Sequence, residues 1–264
     1  MSYDRQRLDR QLRIDGWDQE ELSEAEIGII GSGAPIDSIF LMSSSALGLN
    51  DITVVSPELD DRFIETAEEV NPNLELNHLE GYFNSEPVER ILSEKDLILD
   101  FSNYNLATKK AINLGKKSEL PVVRAYSDDG EANVFTYRPG REWERIKDTL
   151  QDTELPKEPD HDPVLDTIAS GIALEETKRL LMNDEASEKI IRYEGEEGVQ
   201  EYWEDPLIEF EKRLQEGLEI SPLEAGGLDK IADIFDTHDY DDQNILVVGA
   251  GGIANSVGPA LAYS

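Results

Sequence analysis

A glycine turn that directly follows an apolar run is the feature that most constrains how this chain can fold. The apolar run covers residues 27–30, Gly31 and Gly33 form the turn, and an apolar, helix-like segment follows. This order is typical of a strand that enters a helix through a nucleotide-type turn, in which backbone N–H groups approach a phosphate. The alternative is a tight strand-to-helix connection that binds no ligand.

A second copy of the turn lies in residues 244–256. Its glycines are Gly249, Gly251 and Gly252, and Asn255 is placed to cap the following helix or to donate to a phosphate. Because a βαβ unit needs about 30 residues or more, we expect this end of the sequence to be the opening of a second half in a longer chain. The alternative is that its strand joins the sheet of the first domain.

The chain of 264 residues is strongly acidic, with 58 Asp and Glu against 24 Lys and Arg and a formal net charge of −34. Such self-repulsion destabilises a compact fold unless salt screens it. The acids are spread from Asp4 to Asp242, which favours a halophilic protein over one with a single acidic patch for a basic partner or for mimicry of nucleic acid. The sequence has no basic stripe, which argues against nucleic-acid binding.

The sequence has no run of about 18 apolar residues, and its polar, arginine-rich first 13 residues do not resemble a signal peptide. A cytoplasmic protein without a membrane partner is therefore predicted. The absence of cysteine excludes disulfides, a cysteine nucleophile and a thiolate zinc site. His78, His161 and His238 are far apart and lack ligand spacing, so no metal site is predicted within the chain.

Predicted strands and helices alternate along most of the chain. The apolar patterns predict strands at 27–30, 52–55, 74–79, 97–100, 122–125 and 133–137, and helices at 36–47, 60–70, 88–92, 105–116 and 164–182. This alternation favours an α/β fold, namely a Rossmann-like, mostly parallel sheet with helices on both faces.

Three regions are predicted along the chain. Residues 1–185 form the Rossmann-like domain, and residues 186–243 form an acidic helical or linker region. Apolar residues between Trp203 and Leu218 suggest one amphipathic helix in that region. Residues 244–264 are the first strand, turn and helix of the second half.

Several segments, in their order along the chain, carry a resemblance to a known superfamily. They are D-R-Q-L-R-I-D-G-W-D-Q-E-E-L at 9–22, N-P-N-L-E-L at 71–76, D-L-I-L-D-F-S-N at 96–103, P-V-V-R-A at 121–125, N-V-F-T-Y-R-P-G at 133–140 and I-A-S-G-I-A-L-E-E-T-K-R-L-L at 168–181. Over residues 5–185 the chain resembles the ThiF/MoeB-type superfamily, which includes the ubiquitin-activating enzymes. The alternative is an unrelated Rossmann-like domain.

The resemblance implies an adenylating enzyme. Members of the superfamily use ATP and Mg²⁺ to adenylate the C-terminal glycine of a small ubiquitin-like or sulfur-carrier protein, and the partner implied is an active half in a homodimer or pseudo-dimer. In these enzymes an acid after the second strand holds the ribose, and an Arg and a Lys on the next helix contact the phosphates. An acid after the fourth strand positions Mg²⁺.

The first domain departs from this pattern at most of these positions. Pro35 removes a backbone N–H from the turn, and Asp37 puts a negative charge near the expected phosphate. Ser56 follows the second strand in place of the ribose acid, Asn103 stands where the metal acid is expected, and the segment with the Arg and the Lys is missing. The first glycine turn is therefore interpreted as a degenerate nucleotide site.

Arg10 falls at the position of the superfamily's arginine that acts in trans. The predicted function is the non-catalytic half of an activating enzyme, which scaffolds the pseudo-dimer and supplies Arg10 to ATP in the partner half. ATP and Mg²⁺ are expected in the complete assembly, and neither on residues 1–243. Two alternatives stay open: a divergent, active adenylyltransferase that uses Glu58 and Asp100 as its acids, and a non-enzymatic module that binds a peptide or carrier protein.

Overall fold

The computed structural model describes residues 8, 11–14, 16–128, 130–140, 156, 162–187, 189–194 and 198–203. Its helices are α1 (Gln19–Glu24), α2 (Pro35–Leu47), α3 (Asp61–Val70), α4 (Glu86–Leu92), α5 (Asn105–Ser118) and α6 (Pro163–Leu181), with a 3₁₀ helix at Gln11–Arg13. Its strands are β1 (Glu26–Ile30), β2 (Asp51–Ser56), β3 (Glu75–Glu80), β4 (Leu97–Asp100), β5 (Val122–Asp128), β6 (Glu131–Tyr137), β7 (Lys189–Glu194) and β8 (Gly198–Trp203).

The eight described strands form one sheet in the order β3-β2-β1-β4-β5-β6-β7-β8. The strands from β3 to β5 in this order pair in parallel, and the pairings from β5 to β8 are antiparallel. The predicted α/β, Rossmann-like fold is confirmed, with an antiparallel extension at one side. Because the parallel strands end at the same edge, the loops after β1, β2, β4 and β5 come together there.

Two buried apolar clusters cover the two faces of the sheet. One includes side chains of α1, α2 and α6, and the other includes side chains of α4 and α5. Ile29 of β1 belongs to the first cluster and Ile30 to the second, because successive side chains of a strand point to opposite faces. Gly28 lets α4 approach closely, since a Cβ there would lie 2.6 Å from Leu92 Cδ2. Burial on both faces explains why this strand is a continuous apolar run.

Helix α2 is held at both of its ends. Pro35 lies in its first turn, where a fixed φ and a missing N–H are tolerated. Gly48 ends it with a φ of +100°, and its N–H donates to the carbonyls of Ser44 and Ser45. The helix packs against α3 and α6, so its N-terminus is fixed beside the turn after β1. None of the helices that the structure describes is long and apolar enough to cross a membrane.

The region that the sequence assigned to an acidic helix or linker begins with two strands. β7 pairs with β6, and β8 pairs with β7, so residues 189–203 extend the first sheet and this part of the prediction was wrong. Ile191 and Tyr193 are buried in the core. They alternate with polar residues, and the acidic composition obscured this strand pattern. The rest of that region and the predicted second half at 244–264 lie outside the described residues.

Candidate functional site

The first glycine turn lies at the carboxyl end of β1 and connects this strand to α2. The Gly31 N–H donates to the Val55 carbonyl of β2 at 2.8 Å. Gly33 has a φ of +83°, a backbone conformation that favours glycine. Pro35 follows in the first turn of α2 and has no N–H to offer. The strand, turn and helix thus stand where the sequence predicts them.

The carboxyl group of Asp37 binds the donors of this turn. Its Oδ2 accepts hydrogen bonds from the N–H of Ser32 at 2.9 Å and from the N–H of Gly33 at 2.8 Å. The same oxygen accepts from the hydroxyl of Ser56, also at 2.8 Å. The side chain of Asp37 is fully buried. The backbone donors that a nucleotide turn offers to a phosphate are therefore bound by a side chain of the chain itself.

Burial sets the charge of this carboxyl group. It raises the pKa of Asp37 from 3.8 to about 7, although the hydrogen bonds from Ser56, Gly33 and Ser32 act to lower it. The sequence predicted a permanent negative charge at Asp37, whereas in the structure this carboxyl group titrates near neutral pH. Ser56 Oγ also lies 2.8 Å from the Glu58 carbonyl, and its single hydrogen serves only one of these two acceptors fully at a time.

The turn is closely packed around the Asp37 side chain. A Cβ at Gly31 would lie 2.6 Å from Asp37 Cγ and 2.8 Å from Ser56 Cβ. Pro57 covers the turn from the end of β2, since a Cβ at Gly33 would lie 3.1 Å from its Cγ. A glycine is therefore needed at position 31, because a larger residue would clash with the side chain of Asp37. In this conformation the N–H groups of Ser32 and Gly33 are not available to a nucleotide phosphate, because both donate to Asp37.

A buried ion pair lies where β4 ends, between Asp100, the last residue of β4, and Arg124, which is level with it on β5. Arg124 Nη1 donates to Asp100 Oδ2 at 2.8 Å. It also lies 3.2 Å from the Ser102 carbonyl and 2.5 Å from the Thr108 hydroxyl. Asp100 Oδ1 accepts from the N–H and the hydroxyl of Ser102. The guanidinium carbon lies 4.7 Å from the centre of the Tyr126 ring, which adds a cation–π contact.

These contacts give Asp100 a structural role. Both of its oxygens have protein partners, and its charge, second to burial, helps to raise the pKa of Tyr104 to about 12. Within the described ranges no group of three or more acidic or histidine side chains is placed to hold a metal ion. The alternative in which Asp100 and Glu58 serve an active nucleotide site stays a prediction, and in it Asp100 would have to leave these partners.

A second buried acid acts on Asp37. Asp166 lies on α6, which packs against α2, and its charge contributes to the raised pKa of Asp37. Its Oδ1 accepts from the Ser127 hydroxyl at 2.5 Å. Burial raises the pKa of Asp166 to about 7, and Asp162 adds to that rise. Two carboxyl groups on neighbouring helices therefore titrate near neutral pH.

Only part of the predicted site falls within the described residues. Gly31 and Gly33 are described. Outside the described residues lie Arg10, Gly249, Gly251, Gly252 and Asn255. Their roles stay predictions. Sequence reasoning missed Arg124, although an arginine inside the buried strand P-V-V-R-A was a usable signal, because a buried charge needs a partner.

Neither models of known protein families nor curated proteins gave a match to this chain. Solved structures do match. PaaA matches with a TM-score of 0.63 and 13% identity, over 78% of this chain and 84% of PaaA. E. coli MccB crystallised with MccA matches with a TM-score of 0.58 and 12% identity, over 72% of this chain and 67% of MccB. E. coli MccB crystallised with ATP gives 0.56 and 12%, over 69% of this chain and 65% of MccB.

At these identities the similarity shows a shared fold. The described part of this chain therefore shares its fold with PaaA and MccB, and the predicted Rossmann-like α/β fold is confirmed. The chain spans about two thirds of the length of MccB, so the activity and partners of MccB do not follow from the fold.

Proposed function

We propose that this chain is the non-catalytic half of an adenylating enzyme of the ThiF/MoeB type. It scaffolds a dimer or pseudo-dimer and supplies Arg10 to the ATP of the partner half. The observation that carries the proposal is the position of the Asp37 carboxyl group. It accepts hydrogen bonds from the N–H groups of Ser32 and Gly33, which are the donors that a turn of this kind offers to a phosphate.

The energetics of the turn support this proposal. A hydrogen bond to a charged group contributes about 1.5–3 kcal/mol, and a phosphate at this turn would have to displace those made by Asp37. It would also meet the Asp37 charge itself, at a position where Pro35 offers no donor. The turn is therefore satisfied without a nucleotide, which is the property expected of a scaffolding half.

The N-terminal arm gives a second line of support for the proposal. Leu8 is buried and Gln11–Arg13 form a 3₁₀ helix without buried residues, so Leu8 anchors the arm to the domain two positions before Arg10. In the proposal, the partner half begins at the second glycine turn, with Gly249 and Gly251, and binds ATP and Mg²⁺. The substrate is a small ubiquitin-like or sulfur-carrier protein, and the acidic surface belongs to a halophilic cytoplasm.

Nucleotide binding to the full chain tests the degenerate turn. Titration with Mg·ATP is followed by calorimetry for the wild type and two matched variants, Gly33→Asp and Gly251→Asp, each of which adds a carboxylate to one turn. Any ATP binding is expected to be lost in Gly251→Asp and kept in Gly33→Asp. Circular dichroism checks that both variants fold. ATP binding that Gly33→Asp abolishes and Gly251→Asp leaves intact would show that the first turn is a working site.

The trans role of Arg10 is tested in the complete assembly with its active half and carrier protein. Arg10→Ala should reduce ATP–pyrophosphate exchange, because the positive charge at the partner's phosphates is lost. Arg13→Ala, three residues away, is the matched control and should reduce exchange much less. Equal exchange rates in the wild type and in Arg10→Ala would remove Arg10 from the reaction.

A second candidate function is a non-enzymatic module that binds a peptide or carrier protein. The observation that favours it is that MccB, which shares the fold, has been crystallised with MccA. This candidate expects capture of a peptide or carrier without ATP. Calorimetry with and without nucleotide measures this binding. The scaffolding half differs in a second assay, because its assembly with the active half adenylates the carrier, whereas a pure binding module does not.

A further inference from the structure

Helix α5 is basic, whereas the chain as a whole is acidic. Its 14 residues contain four lysines and no Asp or Glu, although acids outnumber bases by 58 to 24 along the chain. Each of the other α-helices that the structure describes contains at least one Asp or Glu. The four lysines are more than a third of the 11 lysines in the sequence, so positive charge is concentrated on this helix.

The exposed side chains of α5 form one stripe along the helix. They are Leu106, Lys109, Asn113, Lys116 and Lys117, and their spacing of three and four positions puts them on the same side. We call these five residues the lysine face, which is about 16 Å long at 1.5 Å per residue. The opposite side of α5 packs into the apolar core. In the sequence the four lysines stand as two separate pairs, which is why no basic stripe was apparent there.

Contacts within the chain account for only part of this charge. Lys110, which borders the lysine face, pairs with Glu89 at 2.7 Å. Lys116 and Lys117 lie in the last turn, where the helix dipole favours cations, yet neither forms an ion pair with another described residue. Lys109 lies in the half of the helix nearer its N-terminus, where the dipole gives no such gain. The dipole therefore does not explain the whole face.

We propose that the lysine face is the docking surface for another protein with an acidic surface. Carboxylates of that partner pair with Lys109, Lys116 and Lys117, and an apolar side chain of the partner covers Leu106, which is 39% exposed. Charge complementarity of this kind selects a partner and fixes its orientation. Since the formal net charge of the chain is −34, an acidic partner is repelled by most of the surface and attracted at this helix.

The size and composition of the face favour a protein over a nucleic acid. Nucleic-acid binding rests on many contacts between basic side chains and successive phosphates, whereas this face offers three lysines beside an apolar side chain. Ion pairs between exposed side chains are individually weak, so we expect a weak and reversible contact. Salt of about 0.1 M screens charges that are more than about 10 Å apart. It therefore reduces the repulsion from distant acids more than the attraction between paired groups.

The lysine face contains neither Arg10 nor the glycine turn, so its test is independent of the proposed function. The full chain, labelled with nitrogen-15 lysine, is titrated with hexaglutamate at a constant ionic strength of about 0.1 M, and the backbone N–H signals are followed by NMR. The signals of Lys109 and Lys116, identified by their loss in Lys109→Arg and Lys116→Arg, are expected to shift to saturation. Free sodium glutamate at the same carboxylate concentration should not give a saturable shift. Absence of a saturable shift with hexaglutamate overturns the proposal.

Lys178 is the matched reference in the same spectrum. It lies on α6 and already pairs with Glu175 at 2.6 Å, so its signal should stay in place, and a shift equal to those of the lysine face would contradict the site. The double variant Lys109→Gln with Lys116→Gln should weaken hexaglutamate binding about fivefold, which corresponds to about 1 kcal/mol. Lys178→Gln should leave the affinity unchanged. If the double variant does not fold, the wild-type spectrum still decides.

Further titrations test the kind of partner. A single-stranded DNA of six thymidines should bind more weakly than hexaglutamate, and tighter binding of the DNA would contradict a protein partner. Hexaglutamate that ends in a leucine should bind more tightly than the plain peptide, and Leu106→Ser should remove that gain. The same affinity for both peptides would contradict the apolar contact. Shifts of the lysine-face signals that appear when the chain itself is concentrated, without peptide, would assign the face to a second copy and contradict a separate partner.

Discussion

The glycine turn after β1 and the ion pair between Asp100, at the end of β4, and Arg124 of β5 both place charged groups in the interior. In the turn, the chain supplies the anion itself, since Asp37 accepts from Ser32 and Gly33. In the ion pair, Asp100 balances Arg124 at one edge of the guanidinium group only. The other edge keeps two donors that have no partner among the described residues.

This difference shows that the two clusters pair their buried charged groups in different ways. Ligands bind open α/β sheets at the carboxyl ends of their strands, and both clusters stand there. A site is closed when a side chain of matching charge replaces the ligand, as Asp37 does. In the other cluster, the internal partner Asp100 satisfies only part of the buried guanidinium group of Arg124.

The largest effect is expected from removing the cation of the ion pair. Arg124→Met leaves Asp100 buried without its counter-ion, and breaking one partner of a buried pair costs about 3–5 kcal/mol. Urea unfolding of the full chain should show a loss of this size. The double variant Asp100→Asn with Arg124→Met removes both charges and should recover a large part of it. If Arg124→Met is as stable as the wild type, the ion pair does not stabilise this edge of the sheet.

The closed turn should make stability depend on pH. Asp37 and Asp166 have a pKa of about 7 in the folded chain, against an ordinary value of 3.8. Between these values the folded chain binds more protons than the unfolded one. Stability should therefore fall as the pH rises from about 4 to about 7, by up to about 1.4 kcal/mol per pH unit for each group.

The variant Asp37→Asn measures how much Asp37 contributes to the pH dependence of the free energy of unfolding. Asparagine keeps an acceptor for Ser32 and Gly33 and cannot ionise, so urea unfolding at several pH values should give a shallower slope than the wild type. High, constant salt screens the repulsion among surface acids. Asp166→Asn is the matched variant and should flatten the slope in the same way. An unchanged slope in Asp37→Asn would mean that this group does not titrate in the range.

A substitution at Gly31 tests how tightly the turn is closed. Gly31→Ala brings a methyl group within 2.6 Å of Asp37 Cγ and 2.8 Å of Ser56 Cβ, and such overpacking costs about 1–3 kcal/mol. Thermal or urea unfolding measures the loss. Asp37→Ala removes the first of these contacts. The double variant should therefore lose less stability than the sum of the losses in the two single variants. Strictly additive costs would show that Asp37 does not fill the space at Gly31.

Most of the fold could be predicted because its signals are local. The apolar run of β1, the Asn71-Pro72 end of α3 and the buried strand β4 are punctuated by glycine, proline and charge, and each stands where the sequence predicts it. β7 and β8 were missed because their strand pattern is short and lies in an acidic segment. Their pairing with β6 is a long-range contact, and no local pattern encodes it.

From the sequence, the candidate site could be predicted only through the positions at which the turn departs from the superfamily's pattern. Pro35 and Asp37 indicated that the turn had changed, but the sequence did not show which atoms Asp37 binds or that burial moves its pKa to about 7. Those properties depend on the position of Ser56, which is the last residue of a different strand, β2. Arg124 and Asp100 are 24 residues apart, and their pairing follows from the adjacency of β4 and β5 in the sheet.

The smallest effect is expected at Thr108, which joins the ion pair to α5. Arg124 Nη1 carries two hydrogens and has three acceptors within reach, on Asp100, Ser102 and Thr108. Thr108→Val keeps the shape of the side chain and removes one acceptor, so both hydrogens keep a partner, and the cost should be about 0.5–1.5 kcal/mol. Thr66→Val, at an exposed position where the hydroxyl bonds to the Arg62 carbonyl, is the control. A loss in Thr108→Val as large as in Arg124→Met would mean that Thr108, rather than Asp100, holds the guanidinium group in place.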